Sequence, residues 1–177
     1  MSHVVWSLLA SNRRYQAPST IRRSTPSPVP GRALAILTCM DARLDLGALL
    51  GLNIGDAQVL RNAGGRVTGD MLRSLAVSTH TLKVREVGII QHTGCGLEGK
   101  HNDELSQHTG LTDVDFYPFH DVHESVRADV AKVRSSGYLA QATAVWGAVL
   151  HLADGTISLV CEPETVLDPK LWDREVP

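Results

Sequence analysis

Three short strand-like runs, separated by stretches of helical periodicity, constrain the fold of this chain more than any other feature. The runs are ALAILTC at 33–39, AQVL at 57–60 and EVGIIQ at 86–91. The first run is continuously apolar, which is typical of a strand that is buried on both faces. Residues 44–52 and 68–83 lie between the runs and place apolar side chains at helical spacing. This order predicts an α/β fold with a central, mainly parallel β-sheet flanked by helices.

The pattern after residue 96 is weaker. Residues 98–113 are polar and indicate only a loop or an irregular helix. Valines recur at helical spacing over 122–133, which predicts a helix with a buried valine face. Two apolar runs at 145–152 and 156–161 flank the turn sequence Ala-Asp-Gly at 153–155, and they predict a hairpin or a pair of strands.

Residues 1–30 differ from the rest of the chain. Residues 4–15 favour a short helix, whereas residues 17–31 contain four prolines among serines, threonines and arginines. We therefore predict an N-terminal helix and proline-rich arm at 1–30, followed by one domain at 31–177. The arm is either a disordered leader or a segment that wraps around a partner subunit.

Size, charge and cysteine content exclude several classes of protein. A chain of 177 residues with 43% hydrophobic residues can bury one core, and a net charge of −2 gives no basic field for nucleic acid. No apolar run reaches the roughly 20 residues that span a bilayer, and the first ten residues lack the basic start of a signal peptide. Three cysteines, an odd number in a chain of this size, fit a reducing compartment. We expect a cytoplasmic protein that binds neither nucleic acid nor membranes.

Two of the predicted strands are followed by side chains that bind metals. Cys39 follows the first strand, and His92 and Cys95 follow the third. Because the carboxyl ends of parallel strands share one edge of the sheet, these three side chains could meet there. Two thiolates and an imidazole suit zinc and leave one tetrahedral position open, as in catalytic zinc sites.

Asp41 and Arg43 lie two and four residues after Cys39. They indicate how a water at the open metal position would be bound. The Asp41 carboxylate can accept a hydrogen bond from a zinc-bound water. The Arg43 guanidinium can keep that carboxylate ionised and turned away from the metal. The alternative is an ordinary ion pair that caps the next helix.

Three linked motifs resemble those of the β-class carbonic anhydrases. They are CMDAR at 39–43, RNAGG at 61–65 and HTGC at 92–95, and the similarity spans residues 32–100. The resemblance implies one zinc ion per subunit on Cys39, His92 and Cys95, and a catalytic pair formed by Asp41 and Arg43. It also implies reversible hydration of carbon dioxide to bicarbonate by a zinc-bound hydroxide, in a homo-oligomer that is a dimer or a multiple of dimers. In a closed resting form, the aspartate itself would bind the zinc.

The same motifs also resemble those of carbonyl sulfide hydrolases and carbon disulfide hydrolases. Carbon dioxide, carbonyl sulfide and carbon disulfide are all linear, uncharged and attacked at carbon, so the zinc ligands alone do not separate these activities. A third hypothesis, from another class, is a zinc or thiol sensor without turnover.

Other conspicuous residues are interpreted as structural. Arg61 and Asn62 are expected to fix the loop after the second strand, and Gly64-Gly65 to let the backbone approach the site. Cys161 is expected to lie in the core, and Met40 to pack against neighbouring residues rather than react. None of the histidines outside the predicted site is assigned to proton transfer.

Overall fold

The computed structural model describes residues 3–15 and 27–166. The strands in these parts of the chain are β1 (Leu34–Cys39), β2 (Ala57–Asn62), β3 (Glu86–His92), β4 (Ala144–Leu150) and β5 (Ile157–Thr165). They form one sheet in the order β2-β1-β3-β4-β5. The first four strands are parallel to their neighbours, and β5 is antiparallel to β4. The predicted α/β fold with a mainly parallel sheet is confirmed.

Helices connect the strands and begin at side chains that cap them. The described helices are α1 (His3–Arg14), α2 (Leu46–Leu50), α3 (Gly69–Thr81), α4 (Asn102–Thr109) and α5 (Val122–Ser135). Asp45, Thr68 and Asp121 accept hydrogen bonds from backbone N–H groups in the first turns of α2, α3 and α5. These caps explain why each helix starts where its polar residue ends the preceding loop.

The central strands carry the core. Ala35, Ile36 and Leu37 of β1 are consecutive and fully buried, so both faces of this strand are covered. The edge strands β2 and β5 are more exposed. β5 includes Pro163, which an edge strand tolerates because one side of its backbone needs no partner strand.

Helix α5 packs closely against β4. A Cβ atom on Gly147 would lie 2.5 Å from a methyl carbon of Val126 and 2.7 Å from one of Val130. The predicted valine face is confirmed, since Val122, Val126, Val130 and Val133 are all buried.

Helix α4 shows the limit of the sequence pattern. It forms a regular helix inside the segment that indicated only a loop or an irregular helix, and none of its residues is buried. Local contacts support it, because Asp103 and Glu104 lie in its first turn and Gly110 ends it in the left-handed conformation. A helix without a buried face leaves no apolar periodicity to detect.

The predicted N-terminal helix corresponds to α1. Its apolar side chains, including Val5, Leu8 and Leu9, are exposed to solvent in the single chain. The predicted arm falls largely on residues 16–26, which lie outside the described residues, so it stays a prediction. Among the described helices, none combines the length and the apolar character needed to cross a bilayer.

Candidate metal centre

Cys39, His92 and Cys95 meet at the carboxyl edge of the sheet. Cys39 ends β1 and His92 ends the neighbouring parallel strand β3. Gly94 then takes a φ of 64°, which turns the chain before Cys95. The two Sγ atoms are 3.9 Å apart, and one ligand atom from each of the three residues lies within 4.8 Å of the others. All three residues are buried.

The His92 ring presents Nε2 to this cluster. Its Nδ1 lies 3.0 Å from the Thr93 carbonyl oxygen, so Nδ1–H donates there and Nε2 carries the lone pair when the ring is neutral. Nε2 is buried and has no hydrogen-bond partner in the described parts of the chain. A buried imidazole nitrogen that faces two thiols, with its other nitrogen bonded to a carbonyl, is the usual arrangement of a histidine that binds a metal.

The two thiols form one hydrogen bond, which shifts their pKa values in opposite directions. The hydrogen bond with Cys95 lowers the pKa of Cys39 against the effect of burial, and backbone N–H groups of Asp41 and Gly64 lower it further. The same contact raises the pKa of Cys95. One thiolate is therefore available at neutral pH, and a bound cation would be needed to displace the second proton.

Asp41 is fixed by Arg43 at the side of the cluster. Arg43 Nε lies 2.9 Å from Asp41 Oδ1, and Arg43 Nη2 lies 2.6 Å from Oδ2. These hydrogen bonds hold the pKa of Asp41 well below its usual range. Oδ2 is 3.8 Å from His92 Nε2, so the ionised carboxylate faces the donor atoms. Arg43 also donates to the Gly94 carbonyl oxygen at 3.0 Å, which ties the pair to the loop after β3.

Arg61 fixes the loop that carries Asp41. It donates to the carbonyl oxygens of Cys39, Asp41 and Leu44 at 2.8, 2.6 and 3.2 Å. The structural interpretation of Arg61 is confirmed, but the loop it fixes follows β1, whereas we expected the loop after β2. The Arg61 side chain reaches this backbone because β2 lies beside β1, with Arg61 paired to Thr38.

The loop after β2 is closed by Asn62 and approaches Cys39 through glycine. Asn62 donates to the Arg66 carbonyl oxygen and accepts from the Arg66 N–H, both at 2.8 Å. Gly65 has a φ of 64°, and a Cβ atom there would lie 2.9 Å from the Cys39 nitrogen. The expectation that Gly64-Gly65 admits close backbone approach is confirmed.

The interpretation of Met40 is wrong, since its side chain is 66% exposed. Cys39 points into the cluster, and the next side chain of an extended backbone points the other way. Cys161 is half-buried and packs against the edge of the core.

Several groups that shape the centre were missed by sequence reasoning. Most are backbone atoms: the carbonyls of Thr93 and Gly94 and the N–H of Gly64. Glu98 was also missed, and its carboxylate accepts from the Gly94 N–H at 2.9 Å. Backbone contacts leave no residue-type signal, and a single acid in a loop is too common to single out.

Comparison with known proteins identifies related sequences and structures. A family model described as carbonic anhydrase matches residues 34–132. Beta-carbonic anhydrase 1 of Mycobacterium bovis is 35% identical over 159 residues, which cover 86% of this chain and 94% of that protein. The crystal structure of a carbonic anhydrase from Streptococcus mutans has a TM-score of 0.79 and 35% identity, and covers 90% of this chain and 98% of that one. A carbon disulfide hydrolase of Saccharolobus solfataricus is 42% identical over 77 residues, or 44% of this chain and 38% of that protein.

Proposed function

Because this chain belongs to the β-carbonic anhydrase family, we propose that it is a zinc-dependent enzyme that reversibly hydrates carbon dioxide to bicarbonate. One arrangement carries the proposal: three metal-ligand atoms lie within 4.8 Å of one another, beside an ionised carboxylate. The donors would bind the metal, and the carboxylate would act on the attacking water.

Cys39, His92 and Cys95 would hold one zinc ion per chain. The donor set supports this assignment, because two thiolates and an imidazole match zinc in charge and softness. The buried, unpartnered Nε2 of His92 also supports it. These three residues are the only such metal-ligand group among the described residues. Because they supply three ligands, one tetrahedral position would stay open. When bound, zinc would supply the Lewis acidity that makes water a nucleophile near neutral pH.

Asp41 would orient the attacking water. An ionised carboxylate can only accept hydrogen bonds, so Asp41 would accept one from the water and leave an oxygen lone pair directed at the carbon of the substrate. Arg43 would act through Asp41. Its guanidinium bonds both carboxylate oxygens and is itself held by the Gly94 carbonyl, which would keep Asp41 from moving close enough to bind the metal itself.

A second candidate is hydrolysis of carbonyl sulfide or carbon disulfide to hydrogen sulfide and carbon dioxide on the same residues. The local likeness to carbon disulfide hydrolases supports it. The less favoured hypothesis of a zinc or thiol sensor would retain the metal and show no turnover.

We also propose a homo-oligomer, a dimer or a multiple of dimers, in which residues 1–30 form a helix and arm that cross a partner subunit. The exposed apolar side chains of α1 support this, since they have no core to pack against in the single chain. Residues 31–177 would form the zinc-binding domain. The free cysteines support a cytoplasmic location, and the net charge of −2 favours neither nucleic acid nor anionic membranes as partners.

The test compares steady-state rates on carbon dioxide and on carbonyl sulfide for the zinc-loaded protein. Asp41→Ala should lose about 100-fold or more of the hydration rate while keeping its zinc. Asp70→Ala is the matched control, because Asp70 forms an ion pair with Arg73 on the surface of α3.

Each result supports one of the three hypotheses. Fast hydration with weak sulfide release supports carbonic anhydrase activity, and the reverse supports the hydrolase. Zinc binding without either activity supports the sensor. Full activity in Asp41→Ala would contradict the role of Asp41.

A further inference from the structure

A buried ion pair joins the loop after β2 to helix α5, and neither of its side chains is a donor of the metal centre. Arg66 Nε is 2.7 Å from Asp129 Oδ2, and the side chains are only 12% and 4% exposed. Arg66 follows the loop after β2, and Asp129 lies on α5. Removing two charges from water is costly, and this cost is not repaid by Coulomb attraction alone. Further hydrogen bonds must therefore satisfy both groups, and the partners in these bonds show what the pair holds in place.

The hydrogen bonds of this pair are well satisfied. Arg66 also donates to the carbonyl oxygens of Tyr117 at 2.6 Å and Pro118 at 3.5 Å, and its guanidinium carbon lies 5.6 Å from the centre of the Phe119 ring. The Asp129 carboxylate accepts a further hydrogen bond from Gln91 Nε2 at 2.8 Å. Gln91 is fully buried. The guanidinium, the carboxylate and the amide form one hydrogen-bonded group, which we call the Arg66–Asp129–Gln91 network, although the Gln91 amide oxygen has no partner among the described residues.

The network reaches Cys39 through the loop after β2. Asn62 bonds both backbone groups of Arg66, so the position of Arg66 sets the closure of this loop. Within the loop, Gly65 lies against the Cys39 backbone, where a Cβ atom would be 2.9 Å from the Cys39 nitrogen.

The network is connected to His92 through the peptide bond between Gln91 and His92. Gln91 is the residue directly before His92 in β3, and its amide is held by Asp129. Cys39 and His92 come from different strands, and the network touches a neighbour of each. A displacement of α5 would therefore move both halves of the centre together.

We propose that the Arg66–Asp129–Gln91 network is a positioning device that fixes the Cys39 sulfur and the His92 ring at the spacing the metal requires. This inference rests on the proposed function only for the identity of the metal site. None of the three residues touches the donor atoms, so each acts through the backbone.

The test replaces the whole network at once. A single replacement would leave a buried charge unpaired and could unfold the protein. The triple variant Arg66→Met, Asp129→Leu and Gln91→Met removes both charges and the amide at nearly constant volume. The control is the double variant Arg134→Met and Glu164→Leu, which removes an ion pair between the same helix and β5, near the opposite end of β4.

Two readouts are independent of turnover. Zinc affinity, measured by competition with a chelator, should fall about 10- to 100-fold in the triple variant and stay unchanged in the control. The visible spectrum of the cobalt(II)-loaded protein, which reports the geometry around the metal, should change in the triple variant alone. The hydration rate should fall with little change in KM for carbon dioxide.

Unchanged zinc affinity and an unchanged cobalt spectrum in a folded triple variant would overturn the proposal. If the triple variant does not fold, Gln91→Met carries the test, since it leaves the ion pair intact. It should shift the cobalt spectrum in the same direction, and no shift would overturn the proposal. An inactive wild-type protein that binds zinc would contradict the proposed function and leave these two readouts valid.

Discussion

Asp41 lies between a guanidinium and a set of metal-ligand atoms, and this position determines what its carboxylate can do. The hydrogen bonds from Arg43 hold the pKa of Asp41 well below its usual range, so the carboxylate is ionised through the neutral pH range. The same bonds occupy the oxygens that would otherwise compete for the open position on the metal. Arg43 therefore controls both the charge and the direction of Asp41.

Arg43→Ala should lower kcat/KM, by about 10-fold or more at mildly acid pH and less at alkaline pH. The guanidinium depresses the pKa of Asp41, so its loss lets that pKa rise toward the ordinary value of about 4. The freed carboxylate can also approach the metal, where it competes best when little hydroxide is present. The acid limb of the pH profile should move to higher pH. Arg73→Ala, which removes the guanidinium of a surface ion pair, is the control, and an unchanged profile in Arg43→Ala would contradict the restraint.

Gly65→Ala should destabilise the protein by about 1–3 kcal/mol and weaken zinc binding. The positive φ of Gly65 strains any other residue, and the added Cβ would lie 2.9 Å from backbone atoms of Thr38 and Cys39. Gly69→Ala is the control, because no atom lies within 4 Å of its Cβ position. Chemical denaturation of the metal-free protein and chelator competition measure the two effects. Wild-type values for both would mean that the loop can move without displacing Cys39.

For the residues of the metal centre, the sequence predicted the side chains but not the backbone groups that orient them. Cys39, His92 and Cys95 could be found because parallel strands bring their ends together and because the chain has only three cysteines, two of which follow predicted strands. The groups that orient them are the carbonyls of Thr93 and Gly94, whose positions depend on the turn after β3. The exposure of Met40 depends on the direction of a side chain beyond the end of its strand, which a motif does not give.

Among the helices, α5 connects the sheet to the metal centre. Its valine face packs on β4 at Gly147, and Asp129 on the same helix contacts the end of β3 through Gln91. The strands and this helix could be predicted because burial leaves an apolar pattern. Helix α4 could not, because its support comes from its ends and from polar contacts rather than from a buried face.

Gly147→Ala should cost about 1–3 kcal/mol in the free energy of unfolding. The new methyl group would lie 2.5 Å from Val126 and 2.7 Å from Val130, so α5 must move away from β4. Urea denaturation of the metal-free protein measures the change. Adding Val126→Ala should relieve part of the clash, so that the double variant loses less than the sum of the two single variants. Strict additivity would show that the two residues do not compete for the same space.

The whole molecule exposes apolar side chains on α1 that a single chain does not bury. Val5, Trp6, Leu8 and Leu9 are all more than two-fifths exposed. The sequence predicted a helix here and left open whether the N-terminal segment wraps around a partner subunit, because an amphipathic pattern is the same whether the apolar face packs within a chain or against another. These side chains are the basis for the proposed oligomer.

The double variant Trp6→Glu and Leu9→Glu should dissociate the oligomer and leave the metal centre formed. Both side chains are exposed in the single chain, at 57% and 45%, so charges there disturb no core. Sedimentation velocity should show a smaller species than the wild type. Val114→Glu, at a similarly exposed valine elsewhere on the surface, should sediment like the wild type. An unchanged sedimentation coefficient in the double variant would contradict the role of α1.

Joint binding of zinc by Cys39, His92 and Cys95 can be measured by X-ray absorption at the zinc edge. The zinc-loaded protein should show one zinc per chain with two sulfur ligands at about 2.3 Å and nitrogen or oxygen ligands at about 2.0–2.1 Å. Cys39→Ser should lose most of its zinc or show a single sulfur ligand. Zinc without a sulfur ligand, or zinc bound by four protein ligands in a closed structural site, would contradict the proposed catalytic zinc site.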